Sequence, residues 1–345
     1  MLDLKTVIPY AYWVLNKKIG SDMVLGNRVT VFGGTGYIGR EVVNALSKAG
    51  YEIKLCVRRP ERFRDFALYN GTQVVALTSY EDPEQLDSVL KGSDIVVNLT
   101  ADRANGTEMV ELGDLAHVNQ KIKQAVEHAG VKRVLSLSQI GASSNQESNE
   151  YLCRLGECDS LMSTTASADV TVFRASLIIG ENDETTQRFV KQLNRMDVLM
   201  VANGQTVVQP IFVKDFANAM VKSIKNSATF GQKLDVAGEE RLTIKELGEL
   251  VSEIMQKEAL VFPMCALNAK LMAFFGPFAP VASISTSQLQ MLKEDLISDA
   301  DFDTLFGFAP ASLESVISVY AAPHNIRERY NYYRKEANRN SDELV

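Results

Sequence analysis

The chain has 345 residues, a net charge of −7 at pH 7, and 46% hydrophobic against 23% charged residues, with a pI near 5.2. That balance belongs to a soluble globular protein with a real core, long enough for one large α/β domain or a domain with a smaller one attached. The acidic surplus, with no concentrated basic face, excludes a nucleic-acid reader.

Residues 1–27 carry a short apolar stretch, VIPYAYWVL at 7–15, with Lys17 and Lys18 behind it. Such a stretch is too short to span a bilayer, and no secretory signal is visible. Asp3, Asp22 and the lack of an Arg/Ser-rich pattern speak against an organellar transit peptide. The segment reads as a packing arm, with an amphipathic anchor as the alternative.

From residue 28 strands and helices alternate. NRVTVFGG is a β-rich run ending in glycines, and REVVNALSKAG follows with apolar residues at helical spacing and a stop at Gly50. YEIKLCVR, VVAL at 74–77, SDIVVNLTA at 93–101 and VKRVLSLSQIGA at 131–142 continue the strands, with the helix LAHVNQKIKQAVEHAG between the last two. ADVTVFRASLIIG at 168–180 reads as one further buried strand. Near-continuous apolar strands joined by crossover helices predict a parallel sheet covered on both faces, and right-handed crossovers make it doubly wound. The expected fold class is α/β, a Rossmann-like doubly wound parallel sheet with a smaller C-terminal α/β lobe. Its expected parts are an arm at 1–27, the Rossmann-like sheet domain at 28–180, a lobe at 181–322 interleaved with it, and a charged tail at 323–345.

In the lobe, Thr243 followed three residues later by Glu246 is a capping box that opens a helix. The stretch 260–282 is strongly apolar, with Lys270 its single charge, and Pro277 and Pro280 break any spanning helix. It reads as core, with an interfacial surface as the alternative. Cys56, Cys153, Cys158 and Cys265 form no CxxC, and His117, His128 and His324 have no ligand spacing. Reduced thiols and no metal site are expected.

The run Gly33-Gly34-Thr35-Gly36-Tyr37-Ile38-Gly39 joins the first strand to the first helix. Glycines at such a junction let the backbone approach a pyrophosphate, whose charge then faces the helix N-terminus. Gly33, Thr35, Gly36, Tyr37, Ile38 and Gly39 are therefore candidate cofactor-binding residues. About 20 residues beyond the glycines an NAD binder places a carboxylate for the ribose 2′-hydroxyl. Here the second strand ends in Arg58 and Arg59, whose planar forks suit a 2′-phosphate instead. NADPH or NADP⁺ is expected over NAD(H). Asn98, Leu99 and Thr100 close the fourth strand at the carboxyl edge of the sheet, where ligands bind in such folds, with Asn119 as polar support.

Together, VFGGTGYIGREVV, DIVVNLTA and GVKRVLSLSQIGA resemble the short-chain dehydrogenase/reductase superfamily, in its atypical and extended branch. FRASLIIGENDE is similar to that branch's Arg-Pro-Ser segment, with Ala175 replacing the proline. Gln209, Pro210, Val213, Asp215 and Ala217 match its Gln-Pro motif. STSQLQMLKED and LFGFAPASLESVISVY resemble the C-terminal signature of the nucleotide-binding accessory subunits of respiratory complex I, the alpha subcomplex subunit 9 family, and their bacterial relatives. The resemblance covers about residues 28–320 and leaves the arm and tail unexplained.

In the superfamily a serine, a tyrosine and a lysine carry out carbonyl reduction. The resemblance places the serine at Ser138 and the tyrosine at Tyr151, both then facing the cofactor, and the lysine position holds Leu155. Leucine offers no charge to stabilise a phenolate, whose parent phenol has a pKa of about 10. Arg154 is displaced by about 100° around the helix and is no substitute. Ser138 and Tyr151 are thus remnants of a degenerate triad.

The resemblance implies a non-catalytic NADP(H)-binding subunit that supports assembly and stability of complex I, in peripheral contact with membrane-arm proteins or lipid. It implies a place on the matrix side of the mitochondrial inner membrane or the cytoplasmic side of a bacterial inner membrane. The alternatives are an active NADPH-dependent reductase or nucleotide-sugar epimerase on the same fold, and a stand-alone NADP(H)-sensing regulator.

Overall fold

The computed structural model describes residues 25–102, 110–146, 148–264 and 286–322. The arm up to residue 24, most of the apolar stretch after 264 and the tail from 323 lie outside the described residues, as do Cys265 and His324.

In chain order the first half runs β1 (Arg28–Phe32), α1 (Tyr37–Lys48), β2 (Glu52–Val57), β3 (Thr72–Ala76), α2 (Pro83–Leu90), β4 (Ile95–Asn98), α3 (Leu115–Ala129), β5 (Arg133–Gln139), α4 (Glu150–Ser163) and β6 (Asp169–Ala175). Next come β7 (Ile178–Ile179), α5 (Glu184–Leu193), β8 (Val198–Ala202), β9 (Val207–Val208), β10 (Ile211–Phe212), α6 (Val213–Ser223) and β11 (Lys233–Val236). The described residues close with β12 (Leu242–Thr243), α7 (Ile244–Ile254), β13 (Leu260–Met264), α8 (Thr286–Met291), α9 (Phe302–Phe306) and α10 (Leu313–Ala321).

Seven strands form one all-parallel sheet in the order β3-β2-β1-β4-β5-β6-β11. Alternation along each strand sorts its side chains between two cores. Val29, Val31, Leu55, Val97, Leu135 and Phe173 pack with Val43 and Leu46 of α1 and Phe216 and Met220 of α6. Phe32, Cys56, Val96, Val134 and Val172 pack with Leu86 and Leu90 of α2 and Ile122 and Val126 of α3. Each such buried aliphatic or aromatic side chain contributes about 1.5–3 kcal/mol relative to exposure. Burial on both faces explains why the strands read as unbroken apolar runs.

The smaller lobe has its own core, in which Phe189 and Leu193 of α5, Leu199 and Val201 of β8, Leu247 and Val251 of α7 and Ile317 of α10 meet. The capping box is present at α7: Thr243 Oγ1 accepts the Glu246 N–H (3.1 Å) and the Glu246 carboxylate accepts the Thr243 N–H (2.6 Å).

Two expectations are corrected. The run 168–180 is two strands, not one. Ser176 makes the last link to β11 (its N–H to Val236 O, 2.9 Å) and gives its hydroxyl to Leu296 O (2.6 Å), and β7 then pairs with β10 in a separate sheet. Both halves are buried, so hydrophobicity alone does not reveal the change of partner. The beginning of the 260–282 stretch is not core: Leu260 is 64% and Phe262 51% exposed. Among the described residues β13 pairs only with β8; one of its faces packs, through Val261, and Leu260 and Phe262 look outward.

Candidate functional site

Strand order reverses between β1 and β4, which opens a crevice at their carboxyl ends. The glycine loop lies there. Gly33 has a φ of +70°, and a Cβ on it would stand 2.6 Å from the Leu99 carbonyl carbon. Gly39, in the first turn of α1, backs onto the loop so closely that a Cβ would stand 2.5 Å from the Gly34 Cα. A side chain at Gly33 would push the loop off the turn after β4, and one at Gly39 would push helix and loop apart. Gly36 is the N-cap of α1, in extended conformation, with no side-chain cap and no acidic residue in the first turn. A helix end without an acid of its own suits an incoming anion. The residues present therefore fit a dinucleotide's pyrophosphate.

Arg58 and Arg59, both exposed, directly follow β2, the strand beside β1. A nearby guanidinium, Arg40 of α1, is bound to Asp65 (2.6 Å) and lies over the Phe66 ring. Asn98 and Thr100 turn their side chains into the protein: Asn98 Oδ1 accepts from Thr100 N–H (3.2 Å) and Oγ1 (2.7 Å), and its amide donates to Asn119 Oδ1. With Leu99 wholly buried, what this turn contributes beside Gly33 is backbone.

Beyond the loop is an open cavity. Its wall brings together five of the expected residues, Tyr37, Ile38, Ser138, Tyr151 and Leu155; the glycines, Thr35, the arginine pair and Asn98, Leu99 and Thr100 stand outside it. It also includes residues the sequence reading missed: Asp102, Gln139, Asp183, Glu184, Thr185 and Met291. Of these only Asp183 carried a legible signal, an N-cap aspartate ahead of a helical run. Met291 arrives from far along the chain, where its carbonyl accepts from Gln139 Nε2 (3.3 Å).

Tyr151 and Leu155 are one turn apart on α4, so both reach the same wall. Arg154 is directed elsewhere, with Nη1 3.1 Å from Glu157. Among the described residues the lining contains no lysine or arginine. Leu155, in the lysine position one turn on, offers this tyrosine no charge to stabilise a phenolate. Behind the wall, Ser138 Oγ is buried without a well-formed hydrogen bond, yet it is close enough to Asp159 to help hold that carboxylate. Burial raises the pKa of Asp159, and Ser138 and Arg174 (Nε at 3.1 Å) oppose the rise.

At the far wall the Tyr37 hydroxyl is buried against Gly180, with no hydrogen-bond partner among the described residues. Burial, reinforced by Asp183, pushes its pKa far above the usual phenol value, so it stays neutral. Asp183 caps α5, accepting from the Thr185 (2.8 Å) and Thr186 (2.7 Å) N–H groups. Burial lifts its pKa to about 6. The folded protein thus binds this proton more tightly than the unfolded chain, where an aspartate titrates near pH 4. Its contribution to stability is full below about pH 4 and is lost as pH rises through about 6. Thermal melts across that range should show this fall, and Asp183→Asn should flatten it; an unchanged profile in the variant would assign the effect elsewhere.

Among the described residues no group of three or more His, Cys, Asp or Glu is placed to hold a metal ion, and no helix is long and apolar enough to cross a membrane. His117 and His128 are exposed and pair with Glu81 (2.7 Å) and Asp87 (2.9 Å).

The sequence profile described as NAD(P)H-binding matches residues 33–226. The mitochondrial NADH dehydrogenase (ubiquinone) 1 alpha subcomplex subunit 9 of Arabidopsis thaliana is 26% identical over 299 residues, 83% of this chain and 72% of that protein. Its Dictyostelium discoideum counterpart is 25% identical over 226 residues, 64% of this chain and 62% of that protein, so the match spans under two thirds of the latter. Among solved structures, an NADPH-dependent quinone oxidoreductase of Escherichia coli, complexed with NADPH, superposes with a TM-score of 0.68 at 19% identity, over 84% of this chain and 99% of that one. At that identity the likeness is one of fold.

Proposed function

The chain belongs to the NAD(P)H-binding family, and from that premise we propose that it holds NADP(H) without turning it over, as an accessory subunit of respiratory complex I. In this reading it supports assembly and stability at the junction with the membrane arm, on the matrix side of a mitochondrial membrane or the cytoplasmic side of a bacterial one. The observation that carries the absence of turnover is Leu155, which fills the place of a cation beside Tyr151 in a wall without lysine or arginine among the described residues. The relatives named as complex I subunits support the partner. The exposed Leu260 and Phe262 would face a partner or the membrane boundary.

A bound dinucleotide supplies a transferable hydride. Gly33, Thr35, Gly36, Tyr37, Ile38 and Gly39 would hold its pyrophosphate, Arg58 and Arg59 its 2′-phosphate, and the Leu99–Thr100 backbone would flank it. Ser138 and Tyr151 would border the nicotinamide end without activating a carbonyl. Held this way, the nucleotide stabilises the native state by mass action. The cavity itself favours a second reading, an active reductase, because Ser138 and Tyr151 both stand in its wall. A nucleotide-sugar epimerase is less well served: Asp102, Asp183 and Glu184 line the cavity, with no described cation to meet a second diphosphate.

Affinity capture from a native membrane extract, with mass spectrometry and nucleotide extraction, tests the proposal. Complex I subunits should co-purify, and extracted NADPH should stay reduced after incubation with quinones and carbonyl compounds. Rapid oxidation of the bound NADPH would transfer the protein to the reductases. Capture of NADP(H) with no respiratory subunit, from a protein that never sediments with membranes, would make it a stand-alone sensor.

A further inference from the structure

A carboxylate of this chain already stands at the anion-receiving end of α1. Asp102 lies just past β4 in a turn closed by its own N–H to Leu99 O (2.9 Å), and it is 6% exposed. Its Oδ2 accepts the Ile38 N–H at 3.2 Å, from 64 residues along the chain. Ile38 is the second residue of α1, so its N–H is one of the first-turn donors that have no partner within the helix. Gly36 supplies no side-chain cap. Asp102 takes over that role at long range.

We propose that Asp102 is a built-in competitor of the dinucleotide: its carboxylate and the pyrophosphate contend for the same Ile38 N–H, and the nucleotide binds by displacing the side chain. This rests on the NAD(P)H-binding reading of the glycine loop. One N–H does not serve two anions well, and like charges a few ångströms apart in a half-dry crevice repel strongly. Nor is α1 supplied with spare acceptors, since its first turn has no acid and its N-cap is a glycine. The device stabilises the protein before loading and loosens its grip on the nucleotide afterwards.

These two effects have opposite signs, which separates the proposal from a plain capping role. A mere cap, when removed, lowers stability and leaves nucleotide affinity where it was. NADPH is titrated calorimetrically into the full chain as wild type, Asp102→Asn and Asp102→Ala, and each protein is also melted without nucleotide. Asparagine keeps an oxygen for the Ile38 N–H and removes only the charge, so it guards against a folding defect in the alanine variant. The asparagine variant should bind NADPH several-fold more tightly, and the alanine variant about tenfold, the scale of one uncontested charge-assisted hydrogen bond. Without nucleotide, Asp102→Ala should melt below wild type. NADPH affinity equal to or weaker than wild type in both variants overturns the competitor while leaving the glycine-loop reading intact. No binding to any of the three proteins overturns that reading, and the competitor with it.

Discussion

Arg133→Ala is expected to cost about 3–5 kcal/mol of stability, enough to leave much of the chain unfolded under mild denaturing conditions. The side chain is fully buried at the start of β5. Its guanidinium donates to the Ile224 (3.2 Å), Asp169 (2.9 Å) and Ser223 (3.0 Å) carbonyls and to the Thr171 (2.7 Å) and Thr229 (3.0 Å) hydroxyls, and it lies 4.4 Å from the Phe230 ring centroid. Burial pulls its pKa down to about 10, so the group remains charged at neutral pH. These hydrogen-bond partners are carbonyl and hydroxyl dipoles, not carboxylate side chains. Ser223 and Ile224 are at the C-terminus of α6, where a buried cation also meets the negative end of the helix dipole. Alanine leaves those acceptors dry and unpaired and opens a cavity among β5, β6 and the end of α6. Equilibrium urea denaturation measures the loss. Arg133→Lys should recover only part of it, because an ammonium does not reproduce the planar fork. A loss below about 1 kcal/mol for alanine would show that the clamp is decorative.

Arg133 also marks a limit on what local sequence encodes. The sequence identified β5 as a strand from its apolar run, but nothing in VKRVLSLSQ says that one arginine is turned inward to fasten the end of a helix about ninety residues later. The same limit recurs at the site. The glycine run, the arginine pair and Leu155 are local, because each is a residue type at a fixed offset from a strand or helix end, and that much was readable. Asp102 on Ile38, Met291 in the cavity wall and β11 beside β6 are products of chain return, which no periodicity encodes. Hydrophobicity reports that a side chain is buried, not against which partner. That is why the break at Ser176 is invisible in the sequence, and why Leu260 and Phe262, apolar yet outward-facing, read there as core.

Substituting Arg58 and Arg59 together with alanine is expected to weaken NADPH binding about 100-fold while changing NADH binding no more than a few-fold. The argument starts from position. Both residues leave the carboxyl end of β2, whose parallel partner β1 runs into the glycine loop, and both are exposed there. The place where a ribose 2′-hydroxyl would meet a carboxylate has two guanidinium groups instead. Arg40 is not a ready replacement, being bound to Asp65 and stacked on Phe66. Each charge-assisted hydrogen bond to a phosphate is worth about 1.5–3 kcal/mol, and partial solvent screening keeps two of them near the lower end, about 3 kcal/mol in all. At about 1.4 kcal/mol per tenfold, that is about two decades in Kd. Because the interaction is with a phosphate, the loss should shrink as ionic strength rises. NADH has no 2′-phosphate and should be nearly indifferent. Fluorescence titration of both nucleotides against wild type, each single variant and the double variant separates the contributions. If the double variant loses NADH and NADPH alike, the arginines hold the fold of the β2 end and do not read the 2′-phosphate. If it keeps NADPH at wild-type affinity, the choice between NADPH and NADH is made elsewhere in the crevice.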